Sequence, residues 1–402
     1  MAFDVHALRE RFPSLRSGIA HFDGPGGTQT PVEVGEAIAR TLTGPLSNRG
    51  LRVPSEKNAE KAIADFRSAY SDLLAVPANG VVYGRSATQI AYDFSRHLSR
   101  SWKPGDEIVV TRLEHDSNVR PWVQAAERQG MIVRWLEFDI ATSELVLDDL
   151  DEKITERTRL VAVTGASNLL GTKPPVRAIA DRAHEAGATV YVDGVHYTAH
   201  DTVDVSELGA DFFACSPYKF LGPHCGVLGA DPALLETIRP DKLVPSPDVV
   251  PERFEFGTLP YEIMAGATAA VDFLAEVSPG GATSRRDRLI ASQHAMEAHE
   301  LALRERLDSG LAGLGDRVVV HSRAKDRTPT TLITFPGRSC QDAYAFLADR
   351  NISAPAGSFY AYEPFKALRL DDPHALRIGL APYNTSEEID RLLEALDEFT
   401  LG

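Results

Sequence analysis

Short β-rich apolar runs alternate along the chain with longer stretches whose apolar positions recur every three or four residues. The first pattern predicts strands and the second predicts amphipathic helices. Strands that alternate with helices form parallel sheets, so we expect an α/β fold. The strands expected from these runs are 107–111, 132–136, 160–163, 189–192, 211–215, 318–321, 331–335 and 376–380. The expected helices are 5–11, 31–42, 56–74, 89–98, 119–129, 174–186, 263–275, 285–314, 340–350 and 385–396.

The domain organisation follows from length and from one break in the pattern. At 402 residues the chain is too long for one simple core and fits two domains. Residues 278–281, Ser-Pro-Gly-Gly, separate two helical stretches, and the second is long and charged. We therefore expect an N-terminal segment 1–20 that packs with the smaller domain, a large domain 21–275 and a small C-terminal domain 276–402.

Charge and composition narrow the class of protein. The net charge of −15 argues against non-specific binding to nucleic acid or to an anionic membrane. No apolar run approaches the roughly 20 residues of a spanning helix, and residues 1–4 begin no basic, apolar signal sequence. The three cysteines form no metal-spaced pair, and their odd number predicts reduced thiols and a cytoplasmic protein without a metal.

The most informative stretch is 192–226, in which an acid closes one strand and a lysine follows another. Asp193 ends the first apolar run, and Lys219 lies in the turn Ser-Pro-Tyr-Lys after the second. Each alone is explained equally well as an ordinary strand-end acid or a surface lysine. In an open α/β sheet, however, the carboxyl ends of strands meet at the ligand crevice. Together the two suit pyridoxal 5′-phosphate (PLP), for which a lysine forms a Schiff base and an aspartate keeps the ring nitrogen protonated.

A second candidate site, for an anion, is the turn before the helix predicted at 89–98. A strand, a small polar turn and a helix expose free N–H groups and the positive end of the helix dipole, which favour an anion. Simple capping of the helix by Ser86 or Thr88 is the alternative. The glycine-rich loop 24–27 lacks dinucleotide spacing. Ser216, three residues before Lys219, is a further candidate phosphate donor.

Several motifs in order resemble the class V aminotransferase and cysteine desulfurase superfamily of fold-type I PLP enzymes, and most of all its cysteine desulfurase-like branch. The motifs are FDGPGGTQTP, TRLEHDSNVRPW, TGASNLLGT, VDGVHYTAH, SPYKFLGPHCG, FEFGTLP and LRIGLAPYNTSEEIDRLLEAL. The resemblance covers nearly the whole chain. It implies a large domain with a mostly parallel seven-stranded sheet flanked by helices and a smaller α+β C-terminal domain.

The resemblance also implies roles for individual residues. It makes Lys219, Asp193 and His115 catalytic, with His115 stacked on the PLP ring. It implies that Arg377, Asn168 and Arg49 contact the substrate, Arg377 through the α-carboxylate. The Gly-Thr at Thr258 would come from the other subunit, which implies a homodimer with shared sites. The implied cofactor-binding residues are Ala87, Thr88, His115, Asn168, Asp193, His196, Ser216, Tyr218, Lys219 and Thr258.

Simpler structural roles stand beside these. Arg49 is also interpreted as a solvated loop arginine, Asn168 as a turn former and Arg377 as part of a structural ion pair. A loop histidine such as His115 is often a capping residue.

One segment departs from the family. The loop at 352–361, where desulfurases carry a nucleophilic cysteine, contains none. We therefore do not expect a persulfide-forming desulfurase. The residues favour a PLP enzyme that acts on an α-amino acid through an external aldimine and a Cα carbanion, as a C–S or β-lyase or an aminotransferase. The alternatives are an epimerase, with His196, Tyr360 or Tyr362 as a second acid or base, and a non-catalytic PLP-fold binding protein. No motif names the substrate side chain.

Overall fold

The computed structural model describes residues 3–402, so the first two residues of the expected N-terminal segment lie outside it. The strands are β1 Ala20–His21, β2 Val81–Gly84, β3 Glu107–Thr111, β4 Ile132–Leu136, β5 Phe138–Asp139, β6 Glu144–Leu145, β7 Thr158–Thr164, β8 Thr189–Asp193, β9 Phe212–Cys215, β10 Gly226–Ala230, β11 Val319–Val320, β12 Thr330–Thr334, β13 Ile352–Ser353, β14 Ala356–Gly357 and β15 Ala375–Gly379. The helices are α1 Val5–Arg9, α2 Val32–Thr43, α3 Pro54–Leu74, α4 Ala87–Leu98, α5 Arg120–Gln129, α6 Leu150–Lys153, α7 Val176–Glu185, α8 Pro232–Thr237, α9 Tyr261–Glu276, α10 Arg285–Gly313, α11 Cys340–Ala348, α12 Tyr362–Leu368 and α13 Ser386–Leu401.

Seven strands form the main sheet, in the order β2-β10-β9-β8-β7-β3-β4. All neighbours are parallel except β10, which runs antiparallel to both β2 and β9. This confirms the predicted α/β fold with a mostly parallel seven-stranded sheet. The carboxyl ends of β7, β8 and β9 meet at one edge, where parallel sheets of this kind bind ligands.

Both faces of the main sheet are buried because helices cover each of them, and successive side chains of a strand point to opposite faces. On β8, Val190 and Val192 join one apolar cluster with α3, α7 and α9, whereas Tyr191 joins a second cluster with α4 and α5. Phe213 and Phe212 of β9 divide in the same way. Helices on both sides therefore fix the strand ends that carry the polar residues.

A second sheet, β11-β12-β15-β14, lies in the C-terminal part and packs with α10, α11 and α13. The capping box expected at the start of the last helix is present, since Thr385 accepts from the backbone of Glu388 and Glu388 accepts from that of Thr385. β1 pairs with β13 of this part, whereas Leu8 and Phe12 pack in the cluster of α3 and α9. The N-terminal segment thus touches both parts, and the domain boundaries stay a prediction.

Among the residues that the structure describes, no helix is long and apolar enough to cross a membrane. Within the same range, no cluster of three or more His, Cys, Asp or Glu side chains is arranged to hold a metal ion.

Candidate active site

A cavity lies at the carboxyl ends of β7, β8 and β9, beside the first turn of α4. The predicted cofactor-binding residues other than Thr258 all line it. Its lining consists of Ser86, Ala87, Thr88, His115, Ser117, Thr164, Ala166, Asn168, Asp193, Val195, His196, Ser216, Tyr218 and Lys219. Residues more than 130 positions apart in sequence are therefore brought together in one place.

Lys219 lies in the short turn that follows β9 and lines the cavity. The amine donates a hydrogen bond to the carbonyl of Pro25. Burial, with a smaller contribution from the positive charge of Arg377, lowers the pKa of Lys219 to about 7, and Asp193 opposes this shift. A neutral, nucleophilic amine is therefore populated near neutral pH.

Asp193 ends β8 and is buried. Burial raises the pKa of its carboxyl to about 6, while the Val195 N–H, 3.0 Å from Oδ1, and the charge of Lys219 oppose the shift. No described residue donates a hydrogen bond to Oδ2. A buried carboxylate with one free oxygen is suited to a cationic N–H on a ligand.

The start of α4 forms the third feature of the cavity. The Ser86 side chain accepts from the Gln89 N–H at 3.1 Å, so the simple capping interpretation is right for Ser86. The hydroxyl of Thr88 has no described protein partner, and the first backbone N–H groups of a helix have none within the helix. β10 supports this turn closely: a Cβ on Gly226 would lie 2.4 Å from the Ser86 carbonyl carbon.

His115 is held by the loop that follows β3. Its Nδ1 is 2.7 Å from the Ser117 hydroxyl and accepts the Ser117 N–H at 3.1 Å. The ring stacks on Tyr360, with centroids 5.7 Å apart. Burial, Lys219 and Arg377 lower the pKa of His115 to about 4, so the imidazole is neutral.

The same loop is tied to the sheet through Glu114, which is buried. Its carboxylate accepts from the Thr111 hydroxyl at 2.6 Å, the Thr164 N–H at 2.7 Å and the Asn118 amide at 2.7 Å. Burial raises the pKa of Glu114 to about 8, and these donors act against that shift. Glu114 thereby fixes the loop that presents His115 against β7.

His196 and Asn168 connect the cavity to the C-terminal part. His196 Nε2 is 3.0 Å from the hydroxyls of both Thr328 and Thr330. The side-chain amide of Asn168 donates to the backbone carbonyl of Phe359 at 3.0 Å. The backbone carbonyl of Asn168 accepts from Arg377 Nη1 at 2.9 Å. Arg377 itself is buried and does not line the cavity. It takes part in no described ion pair, so the structural ion-pair interpretation is wrong for this chain.

Arg49 and Thr258 are not brought to this cavity. Arg49 pairs with both oxygens of Glu60 at 3.0 Å and with Glu252 at 2.8 Å. Arg49 is exposed, as the simpler interpretation expected, and it also has two acidic partners. Thr258 is exposed and lines a different cavity, whose wall includes residues of β2 and α4, together with Arg85 and Gln89.

The structure adds residues that the motifs did not single out. Ser117, Thr164 and Val195 lie within the quoted motifs, close to residues with implied roles, so proximity in sequence could have found them. Phe359 lies in the segment 352–361 that departs from the family, but its contact with Arg377 depends on the path of that loop and could not be predicted. Cys215, Cys225 and Cys340 are all buried, and burial with the nearby charge of Asp372 raises the pKa of Cys340 to about 12.

The cavity fits PLP by the chemistry of its groups. A phosphate requires free N–H donors, which the start of α4 supplies. The ring nitrogen requires a carboxylate, and the unpartnered oxygen of Asp193 meets that need. The aldehyde requires an amine that is neutral near pH 7, which Lys219 provides.

Comparisons with known proteins agree with this chemistry. Residues 20–392 match the aminotransferase class-V family. An uncharacterised protein of Mycobacterium tuberculosis is 30% identical over 402 residues, covering 98% of this chain and 99% of that protein. A probable cysteine desulfurase of Pseudomonas aeruginosa is 32% identical, covering 97% and 96%.

A solved structure extends the agreement to three dimensions. The apo cysteine desulfurase of Thermococcus onnurineus superposes with a TM-score of 0.90 at 26% identity, covering all of this chain and 99% of that one. The residues that match the family, 20–392, include the whole main sheet and every residue that lines the cavity. The chain belongs to the class-V aminotransferase family and is a PLP-dependent enzyme with a cysteine desulfurase-like fold.

Proposed function

We propose that this enzyme acts at Cα of an α-amino acid, as a C–S or β-lyase or as an aminotransferase, without a catalytic cysteine. The observation that carries the proposal is the pair Lys219 and Asp193 in one buried cavity, with the pKa of the amine lowered to about 7 and that of the carboxyl raised to about 6. Opposed shifts of this kind are typical of sites that move protons near neutral pH.

Each residue has a distinct part in this proposal. Bound PLP supplies the electron sink for charge that develops at Cα. Lys219 Nζ takes the proton from Cα as general base, because a neutral amine is populated there. Asp193 holds the proton on the ring nitrogen, and the first turn of α4 holds the phosphate. Arg377 pairs with the substrate carboxylate and thereby orients the bond at Cα.

The positions of the cysteines support a route that forms no protein persulfide. Sulfur transfer to the protein requires an accessible thiolate. All three cysteines are buried, and none lies in the segment 352–361. Tyr360 and Tyr362 line an outer cavity rather than the inner one, so of the three candidates for a second acid or base of an epimerase only His196 lies in the inner cavity.

We also propose a homodimer in which Thr258 reaches the partner's phosphate site. Thr258 is exposed and does not line the cavity that holds Lys219 in its own chain. The Arg49–Glu252 ion pair joins two neighbouring segments that carry exposed apolar residues, Leu51 in one and Phe256 in the other. A second copy of the chain would cover this apolar surface.

The experiment is a spectral screen of the PLP-loaded enzyme with single amino acids, using Lys219→Ala as control. Before any amino acid is added, the cofactor absorbance of the wild type should differ from that of Lys219→Ala, because only the wild type has the amine that binds PLP covalently. One amino acid should then change the wild-type spectrum and be turned over by the wild type only. Release of pyruvate or sulfide without an acceptor then identifies a lyase, and dependence on a keto acid identifies an aminotransferase. Cys340→Ser should keep full turnover. Failure to bind PLP, or a persulfide on any cysteine during turnover, would contradict the proposal.

A further inference from the structure

Arg377 is closed off from the cavity that it is proposed to serve. Only 3% of the residue is exposed, and it is not part of the cavity wall. Its Nη1 donates to the Asn168 carbonyl, whereas its Nε is buried without a hydrogen-bond partner. The negative charge of Asp23 raises the pKa of Arg377, but the two residues form no described ion pair. A substrate carboxylate can reach this guanidinium only after a covering group moves.

Phe359 is the covering group. Its ring centroid lies 3.9 Å from Arg377 Cζ, which is a cation–π contact. Its carbonyl accepts the amide N–H of Asn168. Because Asn168 also accepts from Arg377, the three residues form a closed set of contacts, which we call the clasp. The clasp therefore holds Asn168, which lines the cavity, and Arg377, which does not, and both are proposed to contact substrate.

The loop that carries the ring is suited to movement. Phe359 and Tyr360 both have φ of +55°, a left-handed conformation that bulky L-residues rarely adopt. Two backbone hydrogen bonds anchor this turn, from Asp116 to the Tyr360 carbonyl at 2.8 Å and from Ala361 to the Ser358 carbonyl at 2.9 Å. The far side of the loop borders an open outer cavity, so the ring has space to leave.

We propose that Phe359 gates the substrate carboxylate: its ring and carbonyl occupy Arg377 and Asn168 in the ligand-free enzyme, and the α-carboxylate displaces them. The inference rests on the proposed carboxylate-binding role of Arg377. A carboxylate offers the guanidinium two charge-assisted hydrogen bonds in place of a ring face, so the exchange favours the ligand. An amine without a carboxylate cannot form these hydrogen bonds with Arg377 and leaves the clasp closed. Phe359 thus competes with the carboxylate of α-amino acids for Arg377 and weakens their binding, whereas it does not affect the binding of simple amines.

The test compares the PLP-loaded wild type with Phe359→Leu and Phe359→Tyr, using L-alanine and ethylamine as probes. The probes share the amine and the methyl group and differ in the carboxylate. Dissociation constants come from the change in cofactor absorbance. Leucine keeps apolar bulk but lacks the ring, so L-alanine should bind about three- to thirty-fold more tightly, the range that a lost cation–π contact predicts. Ethylamine binding should not change, and tyrosine should keep the wild-type values.

A second readout follows the loop itself. In the wild type, L-alanine should speed hydrogen exchange at the amides of Asp116 and Ala361, whereas ethylamine should not. Equal or weaker L-alanine binding by Phe359→Leu, or no binding by either protein, overturns the gate. Arg377→Met separates the two proposals. If it lowers L-alanine affinity while Phe359→Leu changes nothing, the gate fails and the carboxylate role stands; if it leaves L-alanine affinity unchanged, the carboxylate role fails as well.

Discussion

Lys219, Asp193 and Arg377 form a set of buried ionisable residues whose charges act on one another. Burial lowers the pKa of Lys219 to about 7 and that of Arg377 to about 9, and it raises the pKa of Asp193 to about 6. The positive charge of Arg377 lowers the Lys219 pKa, and the negative charge of Asp193 raises it. The protonation of the amine therefore depends on a residue from the C-terminal part of the chain.

The first prediction concerns the pH at which Lys219 becomes reactive. In protein freed of PLP, labelling of Lys219 by an amine-directed reagent should rise through about pH 7, not near pH 10 as for an ordinary lysine. Arg377→Met removes the repelling charge and should move this midpoint up. Asp193→Asn removes the attracting charge and should move it down. Peptide mass spectrometry across a pH series measures all three, and a midpoint that moves the other way in either variant would contradict the assignment.

Sequence and structure agree best where a residue's position follows from a strand end. Asp193 and Lys219 were predicted to share a cavity because they follow the strands β8 and β9, and they do so. Arg377 was also expected at the substrate. The structure covers it with Phe359, whose position depends on two left-handed residues that no periodicity reveals. Arg49 has its acidic partners 11 and 203 positions away, a distance in sequence at which pairing cannot be inferred.

At the scale of elements, the parallel core was predictable and its antiparallel strand was not. β3 and β4 have the expected bounds, because each is a short apolar run between polar turns. β10 was missed since Gly226–Ala230 contains two glycines and follows a glycine- and proline-rich loop. Glycine weakens the strand signal, yet here it allows close approach: β10 passes against the first turn of α4.

The second prediction tests this approach of β10 to α4. A Cβ on Gly226 would lie 2.4 Å from the carbonyl carbon of Ser86 and 2.7 Å from the nitrogen of Ala87, so the turn must shift. Gly226→Ala should lower the free energy of unfolding by about 1–3 kcal/mol, as overpacking does, and should weaken PLP binding. Urea unfolding and PLP titration measure the two effects.

The matched control is Gly35→Ala in α2, where an added Cβ meets nothing within 4 Å. It should raise stability by about 0.5 kcal/mol, because alanine favours helix over glycine, and leave PLP binding unchanged. Tight PLP binding by Gly226→Ala would show that the turn at Ser86–Ala87 does not carry the phosphate.

At the scale of the whole molecule, the position of Thr258 leads to the third prediction. Thr258 lies outside the cavity that holds Lys219 in the same chain, so a shared site requires that each chain completes the other. Lys219→Ala and Thr258→Asp, each inactive alone, should recover activity when mixed and allowed to exchange subunits. Random exchange gives half mixed dimers with one complete site each, so we expect about a quarter of wild-type activity.

The control for this complementation is a mixture of Lys219→Ala with Asp193→Asn. Both residues line the cavity of one chain, so a mixed dimer has no complete site and should stay inactive. Sedimentation of the wild type should show a dimer at the concentrations used. Recovery in the first mixture alone means that Thr258 acts across the interface. If neither mixture recovers activity although mass measurement shows that subunits exchange, Thr258 serves its own chain or no site. The exposed apolar residues near Arg49 and Glu252 would then need a different partner.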